Sequence, residues 1–506
     1  MTPPQVVIIG SGPAGISAAV PLLAQGIRVM MLDASQDTAA PPSPTGDIAA
    51  FRRDPARWRT QFGPDLAGLA PQGDQSPKLA TPLARHTTAH FAAATALDAH
   101  GFTAIGSLGQ GGLSAIWGGV AAQLDATDLA EWPFPAADLA PSYADVMARI
   151  GVSGDDGPAL SPAMAAIAHT SHGHIHPGVT LRRAVNAVAM QDRDGRQSCA
   201  SCGLCLWGCA RGSVYSAAHD LPGLRAMPVF DYRPNHRVTR LTAIDDGIAV
   251  EGPGFRIEAR HLILAAGTIA TTALLARHLG QHDTPIRLLT NPVAACAFVI
   301  PRLIGTALPG RSFALAQMTH TVAIGGGQIV AGALYGADTL PAREIANRLP
   351  FSRPVALRLA RALAPALLLA TLYLPGRWSA NVMRVGADGL TIEGGRAPGA
   401  TRALRRAAQR LGSAMRRLGA FPLPGSFAAS PPGADAHYAG TIPMGGAGPM
   451  RTNQVGELTG APGIYVVDGA ALPMLPARHC TLTIMANADR IGRILAKTLS
   501  PDGPAA

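Results

Sequence analysis

Gln5-Val-Val-Ile-Ile-Gly10-Ser-Gly12-Pro-Ala-Gly15 opens a stretch that continues at helical period to Gln25. It stops at Gly26, and Arg28-Val-Met-Met-Leu32 then leads into Asp33. β-Branched residues in series, without alternation, predict a short strand buried on both faces over 5–10. The period over 16–25 predicts a helix, and 28–32 a second buried strand. Pro21, inside that helix, is expected to kink it. The glycines stand where a βαβ unit holding an adenine dinucleotide needs them. Gly10 permits the tight turn, Gly12 lets the backbone approach a pyrophosphate, and Gly15 lets helix and strand meet closely. Asp33 is the acid about 20 residues on that can accept both hydroxyls of a ribose. No second strand–GxGxxG–helix unit is present, so one dinucleotide is expected and electrons must enter and leave by another route.

The rest of the composition narrows the class. A chain of 506 residues suggests about three domain-sized units or fewer large ones. With 48% apolar residues it is a folded protein. Six cysteines in such a length are no disulfide scaffold, and four of them fall within eleven positions, the mark of a metal or redox site. The net charge of +10 is concentrated. Residues 341–420 hold fourteen arginines and no lysine against Glu344, Asp388 and Glu393, while Lys78 and Lys497 are the only lysines of the chain. Such a segment suggests an anionic partner: a membrane surface, a phosphorylated substrate or an acidic protein, unless it is simply a solvated face. Nucleic acid is not expected, because no stacking aromatics or binding motif accompany the arginines. The first 27 residues carry no side-chain charge but lack a signal's basic flank. The apolar run 362–374, containing Pro365, is too short to span a bilayer and reads as a buried core helix or an interfacial one. A cytoplasmic location, or a peripheral one on the cytoplasmic membrane through 341–420, is the expectation, with export only in a complex with a signal-bearing partner.

Farther along, 106–119 reads GSLGQGGLSAIWGG, six of its fourteen residues glycine, which suits a loop pressed against a flat ligand. A helix is expected from Asp138 to near Gly151, strands over 229–267 and a helix over 268–277. Leu404, Ala408, Leu411, Met415 and Leu418 mark one face of an amphipathic helix with arginines opposite. Linker-like stretches are 34–48 and 422–435.

In order along the chain, GSGPAG with Asp33, GGLSAIWGG, EWPF with DLAPSY, LILAAGT, HYAGTIPMG and VVDGAALPMLPARHCTLTIMANADRIG together resemble the glucose–methanol–choline (GMC) oxidoreductases. Residues 286–425 match only in outline. The resemblance implies an α/β fold: a Rossmann-like FAD domain, discontinuous in sequence, and an α+β substrate domain built on an antiparallel sheet. The expected FAD domain is 1–145, 196–285 and 430–506, with a cysteine loop at 199–219, and the substrate domain 146–195 and 286–429. FAD would be held by Gly10, Gly12, Pro13, Ala14, Gly15 and Asp33, by Gly111, Gly112, Ser114, Trp117 and Gly118, and by Val238, Ala266, Gly267, Asp468, Gly469 and Thr481. The catalytic pair would be His437, in HYAGT, and His479, eleven residues after Asp468.

Chemistry supports that pair. Hydride can leave an alcohol carbon only if the hydroxyl proton leaves too, and histidine is the side chain that titrates near neutrality. A second donor holds the developing alkoxide. His437 is read as the base and His479 as its oxygen-binding partner, with exchanged roles open.

Cys199, Cys202, Cys205 and Cys209 form C-x2-C-x2-C-x3-C, the spacing of the bacterial ferredoxin run with Ala210 in place of proline. An iron–sulfur cluster (3Fe-4S or 4Fe-4S) is the first expectation, a bare thiol loop the second and zinc the third. A cluster would give the flavin's electrons a one-electron exit, so a dehydrogenase with a redox partner protein or quinone is expected ahead of an oxygen-using oxidase or a non-catalytic electron carrier. Cys296 and Cys480 read as packed thiols, Cys480 beside the flavin site. His172, His174 and His176 alternate, hence on one face if extended, with His169 nearby; a solvent-exposed loop is expected ahead of a metal site. The substrate expected is a sugar or polyol, and after that a lipid-linked or phosphorylated alcohol.

Overall fold

The computed structural model describes residues 4–36, 40–54, 57–63, 76–168 and 173–500. Its parallel sheet runs Ile464–Val466, His261–Leu264, Val6–Ile9, Val29–Leu32, Phe230–Arg233, with Val6 paired to both Val29 and His261. Every residue of Val6–Ile9 and Val29–Leu32 is buried, which is why these strands are apolar without alternation. Helix Pro13–Ala24 follows the first strand and packs on the last helix, Thr481–Leu499. Their backbones meet at Gly492, where an added methyl would lie 2.5 Å from the Ala18 carbonyl oxygen. The first helix runs on through Pro21, which is buried against Gly492.

A three-stranded meander, Arg240–Ile244, Gly247–Gly252 and Phe255–Ala259, precedes the parallel strand His261–Leu264. A second, eight-stranded sheet runs Phe421–Pro422, Val293–Val299, Leu367–Tyr373, Gln328–Gly336, Met318–Gly325, Val179–Arg183, Gly173–His176, with Ala428–Ala429 also on Val293–Val299. Its strand pairs are antiparallel. Period-2 alternation gives this sheet two apolar faces. Ala294, Phe298, Leu368 and Leu372 pack under the amphipathic helix Ala400–Arg417, through Leu404, Leu411 and Met415. Val293, Ala295, Ala297, Leu367, Leu369 and Tyr373 line a cavity on the other face.

A four-stranded sheet draws on both expected domains: Leu97–His100 pairs with Leu390–Glu393, beside Asn381–Val385 and Ile286–Leu288. Residues 362–374 depart from the expected helix. Helix Arg353–Leu363 ends there, a 3-10 turn at Ala364–Ala366 carries Pro365, and Leu367–Tyr373 is a strand inside the eight-stranded sheet. Pro365 supplies no amide to continue a helix, and a run apolar on both faces suits a central strand equally well. Of the histidines near 170, His169 and His172 lie outside the described residues, and His174 and His176 sit on the terminal strand Gly173–His176, where the register shifts between them. Among the described residues no helix is long and apolar enough to cross a membrane.

Candidate active site

A cavity of about 1260 Å³ runs from the ends of the parallel strands to the inner face of the antiparallel sheet. At its near end, Gly10 adopts φ +102° and an added methyl there would lie 2.4 Å from the Ala265 carbonyl oxygen, so only glycine makes this turn. Gly12 is different: a methyl on it would meet nothing within 4 Å, because it would point into the cavity. The helix beginning at Pro13 has no side-chain cap, so its first amides are open to an anion. Asp33 lies at the end of the second strand, buried. Its Oδ2 accepts the Ser11 amide at 3.0 Å and its Oδ1 the Ser35 amide at 2.7 Å. Burial holds its carboxyl above the ordinary range. Each oxygen keeps a lone pair for a ribose hydroxyl.

The glycine-rich loop closes over this end, with the Gly12 Cα 3.4 Å from a methyl built on Gly112. Ser114 donates to the Gly111 carbonyl at 2.5 Å, and the Trp117 indole to that of Tyr215 at 2.7 Å. Pro13, Ala14, Asp33, Gly112, Ser114, Trp117, Gly118, Val238, Ala266, Gly267, Gly469 and Thr481 all line the cavity, as does Asp468. Asp468 accepts from the Gly267 amide at 2.9 Å and the Thr271 hydroxyl at 2.5 Å, tying two parallel strands together. Gly15 and Gly111, expected among the cofactor contacts, do not line it. A methyl on Gly15 would lie 2.0 Å from the Gly10 carbonyl oxygen, and one on Gly111 2.7 Å from the Ala218 nitrogen, so both are close-packing positions. A lined groove with open helix amides at one end and a paired ribose acceptor beside them fits FAD.

Beyond the flavin end stand His437 and His479, their ring centroids 5.5 Å apart and nearly perpendicular. Tyr373, last residue of the central strand Leu367–Tyr373, completes an aromatic triangle at 5.6 Å from His437 and 5.4 Å from His479. His437 Nδ1 lies 3.1 Å from Asn291 Oδ1. The Asn291 amide nitrogen donates to the Leu374 and Pro476 carbonyls, both at 2.8 Å, so the side chain must present its oxygen to the imidazole. Nδ1 therefore carries the hydrogen and Nε2 keeps its lone pair. Burial pulls His437 down to about 4 and His479 to about 3, the latter also through its histidine neighbours. Both rings are neutral at pH 7.

Behind His437 lies Asp435, fully buried, its Oδ2 3.7 Å from Nδ1. Its Oδ2 accepts the amides of Asn291 at 2.8 Å and His437 at 3.3 Å, while Oδ1 has no partner. Burial pushes this acid up to about 7.

Two family models match the sequence: residues 4–49 match an FAD binding domain, and residues 397–488, which contain both histidines, match GMC oxidoreductase. Residues 397–488 thus carry a GMC oxidoreductase domain. The chain is an FAD-dependent oxidoreductase acting on CH–OH groups. No curated protein sequence matches this chain. Among solved structures, pyridoxine 4-oxidase from Mesorbium loti is similar over 97% of this chain and 99% of its own, with a TM-score of 0.62 and 16% identity. That likeness concerns the fold.

The cysteine loop borders the same cavity through Leu206. Cys205 is buried, and Cys199, Cys202 and Cys209 are partly so. Burial raises the Cys205 thiol to about 12. Among the described residues no three His, Cys, Asp or Glu side chains converge as ligands on one point, so the thiols as placed do not form a cluster's ligand set. Cys296 and Cys480 are buried thiols, and Cys480 lines the cavity beside His479. Several site residues gave no signal in the sequence: Asn291, Tyr373, Asp435 and Lys78. Lys78 is half-buried against the glycine-rich loop, where its Nζ donates to the Trp117 carbonyl at 2.7 Å and desolvation pulls it down to about 8. Asp435, two residues before His437, was the one open to inspection.

Proposed function

We propose that this enzyme oxidises a lipophilic alcohol, with His437 taking the hydroxyl proton. Bound FAD supplies the hydride acceptor for the carbinol carbon. His437 Nε2, neutral and facing the cavity, accepts the proton as the C–H bond breaks. Asn291 holds the ring so that Nε2 cannot turn away, and Asp435, once ionised, stabilises the imidazolium from behind. His479 and Tyr373 close the site around the alcohol oxygen and exclude water.

The observation that carries the substrate class is the wall between the histidines and the mouth. It is built mainly from Val293, Ala295, Leu363, Leu367, Leu369 and Leu423, and of the hydroxyls among them those of Thr371 and Ser426 are already bonded to the backbone. Of the two classes expected, this supports the lipid-like alcohol over the sugar or polyol. The test is anaerobic mixing with matched panels of apolar alcohols and polyols, followed by loss of the flavin's visible absorbance. Faster reduction with increasing apolar length supports the proposal; faster reduction by sugars or polyols overturns it.

How the electrons leave is a separate part of the reading. The C-x2-C-x2-C-x3-C spacing speaks for an iron–sulfur exit to a partner protein or quinone, while the placement of the thiols speaks for a packed loop and transfer to O₂. Iron and sulfide determination on protein purified without oxygen, with peroxide measured during turnover, separates dehydrogenase from oxidase.

A further inference from the structure

Among the described residues the large apolar side chains left exposed are Ile304, Ile329, Phe351, Val355, Leu359 and Phe421. All but Ile329 lie at one end of the eight-stranded sheet. The register shows it: Val299 pairs with both Leu367 and Phe421, and Gly336 with Leu368. The segments leaving at that end are therefore 300–306 and 337–366, and the short strand beginning at Phe421 enters there. Ile329, by contrast, sits by the hairpin turn at the far end.

Helix Arg353–Leu363 is the centre of this surface. It is held from beneath by an alanine seam, Ala356 and Ala360 against Ala346 of helix Ala342–Ala346. Val355 and Leu359 stand one turn apart on its outer side, 42% and 37% exposed, and Phe351 precedes them at the same spacing with 55%. Arg358 and Arg361 flank the stripe, and Arg302, Arg348 and Arg353 surround it, all exposed. Across these segments Glu344 is the one acid besides Asp338; Glu344 is paired with Arg343, and Asp338 is buried. An apolar stripe rimmed by arginines has the composition of a surface that lies in a headgroup layer. The cavity's mouth, at Leu349, Pro350, Leu363, Leu423 and Pro424, opens between the same segments.

We infer that this end of the molecule docks on an anionic phospholipid bilayer, with Phe351, Val355 and Leu359 entering the acyl boundary and the arginines meeting the phosphates. A soluble protein partner would be expected to show acids complementary to the rim, but it need not tolerate a contiguous apolar stripe beside an open channel; a bilayer satisfies both features at once. The inference rests on the surface, not on the substrate class.

The experiment is vesicle flotation of the FAD-loaded protein with phosphatidylcholine vesicles and with vesicles containing about a third phosphatidylglycerol, at low and high salt. The protein is expected to float with the anionic vesicles and to partition roughly tenfold less onto neutral ones or at high salt. The variant Phe351→Ser/Val355→Ser/Leu359→Ser should lose roughly tenfold in partitioning. Its flavin absorbance and its reduction by a short soluble alcohol should be unchanged, which shows that it is folded. Arg353→Gln/Arg358→Gln/Arg361→Gln, a second variant, should lose the preference for anionic vesicles. Protein left unfloated by anionic vesicles at low salt overturns the inference. So does equal floating by the serine variant, or a concentration-dependent dimer in solution that the serine variant abolishes.

Discussion

Replacing Asp435 by Asn tests the electrostatics behind the base. The wild-type acid is fully buried and titrates near 7, against 3.8 for an ordinary aspartate, with burial the main cause. In the folded protein it therefore stays protonated over a range where the unfolded chain has already ionised. The unfolded state binds fewer protons there, so stability falls as pH rises from about 4 to about 7 and is level above. Three pKa units correspond to about 4 kcal/mol, an order-of-magnitude figure. Asp435→Asn keeps an oxygen for the Asn291 and His437 amides and cannot ionise. Its own offset, an amide nitrogen where Oδ1 has no partner, is about 1–3 kcal/mol and independent of pH. Urea unfolding of the FAD-loaded proteins at about pH 4, 5.5 and 7 should show the variant gaining on the wild type by a few kcal/mol across the window. Flavin reduction should rise through about pH 7 in the wild type, as the carboxylate forms behind His437, and lose that rise in the variant. Parallel stability curves across this range would mean that Asp435 is ionised throughout, and the account of the site would fail.

His437→Gln should slow anaerobic flavin reduction by about 10²–10⁴-fold with the flavin spectrum retained; a loss under tenfold would remove His437 as base. In Asp435→Asn, where that rise is absent, the rate should hold down to about pH 4, because burial lowers His437 to about 4, and a midpoint near 6.5 in this variant would contradict that burial. Gly12→Val should fold but purify without FAD, whereas Gly15→Val should not yield soluble protein, since its side chain would begin 2.0 Å from the Gly10 carbonyl oxygen. Asn291→Leu should lower thermal stability by about 1–3 kcal/mol as the Leu374 and Pro476 carbonyls lose their donor, and should slow flavin reduction as well; an unchanged rate would leave Asn291 structural only.

The flavin end could be read from residues because its demands are local. Gly10, Gly12 and Gly15 answer to one turn and one helix, and their three different roles come from spacing alone. The two histidines came from motifs near the chain's end. Asn291 and Tyr373 did not, because each is placed by strand register: Val293 opposite Tyr373 brings residues eighty apart to one point. Residues 362–374 defeated periodicity for a related reason. A strand buried on both faces and a buried helix show the same continuous apolar run, and Pro365 marks a break that either element could succeed. The cysteine spacing states which thiols are close in sequence but not where they point, and Ser201, Gly203 and Gly208, with positive φ, turn the loop between them.

The parallel sheet has an order of assembly built into it. Its first strand pairs with His261–Leu264, which in turn pairs with Ile464–Val466, and the first helix is covered by Thr481–Leu499. A nascent chain thus makes its dinucleotide turn within 15 residues but cannot bury the helix behind it until nearly 490 have been synthesised. Until then the first helix has only the early strands Val6–Ile9 and Val29–Leu32 to pack on, and its other side is uncovered. Chains stopped short of residue 464 should accumulate as insoluble, colourless protein, however much of the cofactor's loop they contain.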